Sequence, residues 1–162
     1  MIPKKYRVLA VDPGYERVGV AVLEKSDGKE VLLYSDCFKT SAKDEFPKRL
    51  AKIGFEIKRL IKKFSPNTLA IETLLFNSNQ KTAMKVSEAR GAMICIAKMA
   101  DLEIHEYTPL QIKNAITGYG RADKSQVEMM TRQLIEIKKE NIIDDEMDAI
   151  AIGLTALASV RN

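Results

Sequence analysis

Residues 8–14 read Val-Leu-Ala-Val-Asp-Pro-Gly, a short apolar run that ends in one carboxylate, Asp12, followed by the chain breaker Pro-Gly. Such a run is typical of a buried β-strand that stops at a turn. The last side chain of this kind of strand lies at the edge of the sheet, where open α/β folds bind their ligands. We therefore expect Asp12 to reach a cleft, although an aspartate before Pro-Gly is also a common way to begin a turn.

The composition is that of a globular protein. The 162 residues are 46% hydrophobic and 30% charged, which suits one domain with a core, and we treat residues 1–162 as a single domain. The net charge of +4 permits a nucleic-acid partner without requiring one. Cys37 and Cys95 form neither a disulfide framework nor a CxxC metal site, which indicates a reducing, cytoplasmic location. No apolar run approaches the roughly 18 residues of a membrane span, and we expect no signal peptide.

Apolar periodicity predicts three strands joined by short connections, followed by strands that alternate with helices. A strand at 68–72 again ends in a carboxylate, Glu72, and Thr108 and Asp123 are expected to cap helices. This order predicts an α/β fold with one mixed sheet and helices on both faces. The predicted strands are 6–12, 18–23, 30–35, 68–72 and 104–107, and the predicted helices include 80–101 and one from Asp123 to about residue 138.

Two predicted strands deliver acids to the sheet edge. If the strands that end in Asp12 and Glu72 are parallel neighbours, both carboxylates emerge on the same side. Like charges held this close raise one pKa unless a cation lies between them. Hard oxygen ligands favour Mg²⁺ or Mn²⁺ over Zn²⁺.

The last predicted helix begins with a cluster of acids. Asp145 and Asp148 are three residues apart and share a face. The helix dipole alone accounts for Asp144 as a cap and for Glu146 as a solvated charge, and Lys139 is interpreted as part of a solvated segment. With the two strand-end acids, the cluster predicts a two-metal site in which one ion activates water and the other stabilises the leaving oxygen.

Four motifs follow one another from about residue 6 to 157, namely LAVDPGYERVGVAV, LAIETLLFNSNQKTAMKVSEARG, YTPLQIKNAITGYGRADKSQV and DEMDAIAIGL. On these motifs the chain resembles the RuvC family of Holliday-junction resolvases, which have the ribonuclease H-like fold. The resemblance implies that fold, with a mixed five-stranded sheet and helices on both faces. It places the family's catalytic, metal-binding acids at Asp12, Glu72, Asp145 and Asp148. Asp144 is an alternative for the third acid, where the family varies most.

The resemblance also implies a DNA-binding surface. The family's DNA-contacting lysines correspond to Lys113 and Lys124. Family members commonly place a base-stacking phenylalanine three residues after the strand-end glutamate, where this chain has Leu75. Phe76 follows it, and either Phe76 stacks on a base at the opened junction or it packs into the core.

The function implied by the resemblance is metal-dependent cleavage of four-way DNA junctions by two symmetric incisions, with two Mg²⁺ or Mn²⁺ ions per site. It also implies a homodimer, cooperation with a RuvA–RuvB type branch-migration complex, and a role in recombination and repair. The alternatives are a YqgF-like nuclease acting on RNA, a non-catalytic junction-binding module and an actin-like phosphotransferase. The SEARG and KSQV segments argue against the first, the four acids against the second, and the single short phosphate-loop-like segment against the third.

The helix predicted at 80–101 has more apolar surface than one sheet face can cover. Surplus apolar surface usually marks an interface, and small residues let a second helix approach closely. We therefore predict that this helix forms the two-fold dimer contact. The residues concerned are Ala89, Gly91, Ala92, Met93, Ile96, Ala97, Met99 and Ala100.

Overall fold

A five-stranded mixed β-sheet forms the centre of the computed structural model, which describes residues 5–74 and 80–160. The strand order is β3-β2-β1-β4-β5. The β1–β2 and β2–β3 pairs are antiparallel, whereas β1–β4 and β4–β5 are parallel. The predicted mixed sheet is thus confirmed. The strands are β1 (Lys5–Asp12), β2 (Arg17–Ser26), β3 (Lys29–Lys39), β4 (Thr68–Glu72) and β5 (Glu103–Tyr107).

Helices cover both faces of the sheet, as the sequence predicts. Successive side chains of a strand point to opposite faces, and β1 shows this alternation. Val8 and Ala10 belong to the core shared with α3, α4 and α5, whereas Leu9 and Val11 belong to the core shared with α1 and α2. The helices are α1 (Phe46–Phe64), α2 (Gln80–Met99), α3 (Pro109–Thr117), α4 (Lys124–Leu134) and α5 (Asp144–Ser159).

Local capping explains where α3 and α4 begin. Thr108 and Asp123 are the N-caps, and each forms a capping box with a glutamine three residues later. The prediction that α4 reaches about residue 138 is wrong. Ile135 leaves the helix in an extended conformation and buries its side chain, with 4% exposed, in the core.

The start of α5 differs from the sequence prediction. Ile143 is the N-cap, so Asp144 lies in the first turn and does not cap the helix. Glu146 is not a solvated charge, because only 1% of it is exposed. The Ser35 hydroxyl donates to its Oε1 at 2.6 Å, and the Lys139 ammonium lies 2.9 and 3.0 Å from its two oxygens. Glu146 faces β3, and Lys139 is the counter-ion of a buried carboxylate.

The apolar surface of α2 is divided between the core and solvent. Ala89, Met93 and Ala97 recur every four residues and are buried against the sheet. Gly91 and Met99 lie on the exposed side of the helix. Part of the surplus apolar surface that the sequence predicts for this helix is therefore buried within the chain. Among the described helices, none is long and apolar enough to cross a membrane.

The buried pair between Lys139 and Glu146 predicts a measurable stability difference between neighbouring lysines. Lys139→Ala leaves the Glu146 carboxylate without its cation, and we expect it to lower the free energy of unfolding by about 1–3 kcal/mol. The control is Lys138→Ala, since Lys138 is exposed and its loss is expected to change that free energy by less than about 0.5 kcal/mol. Urea denaturation at pH 7 measures both, and equal losses for the two variants would contradict the assignment.

Candidate active site at the carboxyl edge of the sheet

Asp12 and Glu72 lie together because their strands are parallel neighbours. Val11 of β1 is paired with Ile71 of β4, so the next residue of each strand is an acid at the same edge. Both side chains are partly buried. The structure thus brings together the two strand-end acids that the sequence singled out.

Close packing of α5 against β2 places the acids of the last helix at the same edge of the sheet. Gly19 is paired with Asp12 across the β1–β2 ladder. A Cβ atom on Gly19 would lie 1.8 Å from the backbone oxygen of Asp145, so only glycine allows α5 to pack here. Its first turn carries Asp145, and one turn further it carries Asp148.

The pKa shifts show that these carboxylates lie within electrostatic reach of one another. Burial raises the pKa of Asp12 to about 8, and the charges of Glu72, Asp148 and Asp145 add to the effect, in that order. Burial and then Asp148 raise the pKa of Glu72 to about 7. The pKa of Asp148 is also raised by burial, although the Lys124 ammonium opposes the shift. Ionised carboxylates at this edge therefore destabilise one another.

Two basic side chains contact the acids of α5. The Lys124 ammonium lies 3.2 Å from Asp144 and 3.3 Å from Asp148. The Arg17 guanidinium donates to Oδ2 of Asp145. Lys124 was predicted to meet a DNA phosphate, and in the absence of DNA it is an ion-pair partner of the acidic helix.

A cleft opens beside these groups. A cavity of about 190 Å³ is lined by Glu72, Asp148, Lys113 and Lys124, and Lys124 is ion-paired with Asp148. Both lysines named in the sequence analysis therefore face the same cleft as two of the acids. Leu75 and Phe76, the alternatives for base stacking, fall outside the described residues.

The donor set fits a divalent cation in its chemistry. Asp12, Glu72 and Asp148 supply hard oxygen ligands whose mutual repulsion a cation would relieve. As the side chains are placed, no three acidic, histidine or cysteine side chains within residues 5–74 and 80–160 form a group compact enough to hold a metal ion. The ion pairs with Arg17 and Lys124 keep Asp145 and Asp148 engaged elsewhere.

Arg90 is a further residue near the acids, and sequence reasoning did not assign it a role. Its Nε donates to the backbone oxygen of Glu72 at 2.9 Å, and its guanidinium also pairs with Glu106. Arg90 thus ties the end of β4 to α2 and β5. The signal was present in the SEARG segment, but only the fold shows that this arginine reaches a strand end.

His105 lies in β5, away from the acids. Its ring meets Tyr107 edge-on, and its Nε2 is 3.6 Å from a Glu103 oxygen. None of its hydrogen bonds, ion pairs or ring contacts among the described residues is with Asp12, Glu72, Asp145 or Asp148.

Known proteins are similar to this chain both in sequence and in fold. The family model described as crossover junction endodeoxyribonuclease RuvC matches residues 8–156. Crossover junction endodeoxyribonuclease RuvC of Finegoldia magna is 43% identical over 148 residues, covering 91% of this chain and 90% of the relative. That of Petrotoga mobilis is 42% identical over 144 residues, covering 89% and 88%.

A solved structure, T. thermophilus RuvC in complex with Holliday junction substrate, matches with a TM-score of 0.86 and 31% identity, covering 93% of this chain and 92% of that one. Its fold is the ribonuclease H-like fold that the sequence resemblance implied. The family match spans β1 to α5 and includes every strand and helix that positions the four acids. The chain therefore belongs to the RuvC family of crossover junction endodeoxyribonucleases.

Proposed function

We propose that this chain resolves four-way DNA junctions by metal-dependent hydrolysis of two symmetrically placed phosphodiester bonds. The observation that carries the proposal is the group of partly buried carboxylates at one sheet edge, where the pKa of Asp12 is raised to about 8 and that of Glu72 to about 7. Carboxylates that are buried close to one another destabilise the fold unless a cation binds between them. Lys113 and Lys124, which line the same cleft, suit a phosphate backbone.

The residues that would hold the cations are Asp12, Glu72, Asp145 and Asp148. We propose two ions, Mg²⁺ with Mn²⁺ as a substitute, because carboxylate oxygens are the ligands these cations prefer. The chemistry supplied by the bound cations is activation of the attacking water and stabilisation of charge on the leaving oxygen. The rigid strand ends fix Asp12 and Glu72, and Lys113 and Lys124 bind and orient the DNA backbone.

Asp145 is preferred over Asp144 as the third acid. Asp145 contributes to the raised pKa of Asp12, whereas Asp144 pairs with Lys124. The Asp144 side chain is also 72% exposed, compared with 26% for Asp145. A ligand shared with the strand-end acids is therefore better supplied by Asp145.

We propose a homodimer because two symmetric cuts require two clefts related by a two-fold axis. Exposed apolar side chains collect where α1 packs against α2, with Phe55 72% and Met99 80% exposed. A groove of about 300 Å³ lies between the two helices and is lined in part by Ile61, Ile96 and Met99. A second copy of the same surface would bury both the protruding side chains and the groove.

The wider setting follows from the family. We propose that the chain works in recombination and repair, in the cytoplasm, and with a RuvA–RuvB type branch-migration complex. Residues 1–162 would act as one nuclease domain. The solved relative from T. thermophilus was obtained with a Holliday junction substrate, which supports the same substrate here.

The proposed function predicts that cleavage and binding separate at Asp12. Asp12→Asn removes a metal-ligating charge but no phosphate contact, so we expect cleavage of a synthetic four-way junction in Mg²⁺ to fall at least about a hundredfold. Gel-shift affinity for the same junction should remain. The matched control is Asp101→Asn, an exposed residue at the opposite edge whose left-handed conformation (φ 61°) asparagine also adopts. Appreciable cleavage by the Asp12 variant would contradict the metal-dependent mechanism.

Lys124 is predicted to contact a phosphate when junction DNA is bound. Lys124→Ala should weaken junction binding and reduce the slope of log affinity against log salt by about 0.9, the value for one lost phosphate contact on duplex DNA. Lys29→Ala is the control, since Lys29 begins β3 at the far edge of the sheet. If Lys124→Ala leaves affinity and slope unchanged, the lysine serves only its ion pairs with Asp144 and Asp148.

The proposed dimer surface predicts a change of oligomeric state at Met99. Met99→Glu places a charge on the exposed surface between α1 and α2, so we expect sedimentation at micromolar concentration to report a monomer with unchanged circular dichroism. Met129→Glu is the control, because Met129 is 53% exposed but lies on α4, on the other face of the sheet. A dimer that survives Met99→Glu would place the contact elsewhere, and a wild-type monomer would contradict paired incision.

A further inference from the structure

The start of β2 places an arginine beside one of the candidate metal ligands. Gly19 lies directly under the Asp145 backbone, and Arg17 is two residues earlier on the same strand. Residues two apart on a strand point to the same face, so the Arg17 side chain rises on the side where α5 begins. Its guanidinium accordingly meets Oδ2 of Asp145.

This contact occupies an atom that a metal ion would need. The Cys37 thiol, on the strand paired with β2, also donates to the same oxygen at 3.9 Å. Asp145 thus has one oxygen engaged by a cation of the chain itself. The ion pair between Arg17 and Asp145 persists only while no divalent cation competes for Asp145, because a divalent ion attracts the carboxylate more strongly than a monovalent guanidinium does.

The ion pair between Arg17 and Asp145 is also exposed enough to solvent to open. The Arg17 side chain is 48% exposed and that of Asp145 is 26% exposed. Pairs exposed to this degree contribute little free energy, so the arginine can exchange Asp145 for water at modest cost. Arg17 differs in this respect from Lys139, whose partner Glu146 is almost fully buried.

We propose that Arg17 is a positioning residue that competes with the divalent cation for Asp145 and so lowers the metal affinity of that part of the site. The proposal rests on the proposed function, since it requires that Asp145 ligate a metal. In the DNA-free protein, Arg17 holds Asp145 in the ion pair. With a cation bound, Asp145 would ligate it with the oxygen that Arg17 engages, and the Arg17 guanidinium would be left to solvent.

The test is calorimetric titration of the full chain with Mn²⁺, without DNA, so that cleavage activity does not enter. Arg17→Gln should tighten the weaker Mn²⁺ site about two- to fivefold, the range expected for loss of a partly exposed ion pair. Arg17→Lys, which keeps the charge, should stay close to the wild type. Arg59→Gln is the matched control, because it breaks an exposed pair with Glu56 on α1.

The Asp145→Asn variant separates an effect of Arg17 on Asp145 from any other effect of Arg17 on metal binding. In Asp145→Asn protein, Arg17→Gln should leave Mn²⁺ affinity unchanged, because the competed ligand is already gone. The proposal is overturned if Arg17→Gln binds Mn²⁺ as the wild type does, or more weakly, or if its effect persists in Asp145→Asn. If wild-type protein and all variants bind no Mn²⁺, the metal site of the proposed function fails together with the inference that depends on it.

Discussion

The burial of like-charged carboxylates on rigid neighbouring strands is the constraint on which the rest of this site depends. The parallel pairing of β1 with β4 fixes Asp12 and Glu72 at one edge, and neither side chain can move far from the other. Because the pKa of Asp12 is raised from 3.8 to about 8, the metal-free fold is stabilised by its protonated form at acidic pH. That contribution declines as the pH rises above about 4 and is lost as the pH passes about 8. In the proposed function, a bound cation would take the place of the proton.

Contacts of residues that are not proposed metal ligands hold α5 at this edge of the sheet. Gly19 lets the backbone of α5 approach β2, and the buried Glu146 joins α5 to β3 through Ser35 and to the preceding segment through Lys139. Glu146 lies between Asp145 and Asp148 in the chain, so the first turns of α5 both anchor the helix and carry the two acids.

The sequence predicted the sheet, the faces covered by helices, and the acids that converge, because each follows from local patterns. Apolar runs that end in Asp12 and Glu72 define strand ends, and Thr108 and Asp123 are recognisable caps. Long-range pairings could not be read in this way.

The contacts of Arg17 with Asp145 and of Ser35 with Glu146 join residues far apart in the chain. Lys139 is only seven residues from Glu146 but lies outside α5, so no helical periodicity marks that pair. The early end of α4 has the same origin, since Ile135 leaves the helix to fill the core, a tertiary effect that outweighs local helix propensity.

The most direct measurement of the central claim is the number of protons released when a divalent cation binds. Mg²⁺ is titrated into DNA-free protein at pH 7 in two buffers of different ionisation enthalpy, and the difference in heat gives that number. With the pKa of Asp12 at about 8 and that of Glu72 at about 7, we expect release of about one proton or more per chain, falling towards zero above pH 9. Binding without proton release at pH 7 would contradict the account, because the carboxylates would then be ionised before the cation arrives.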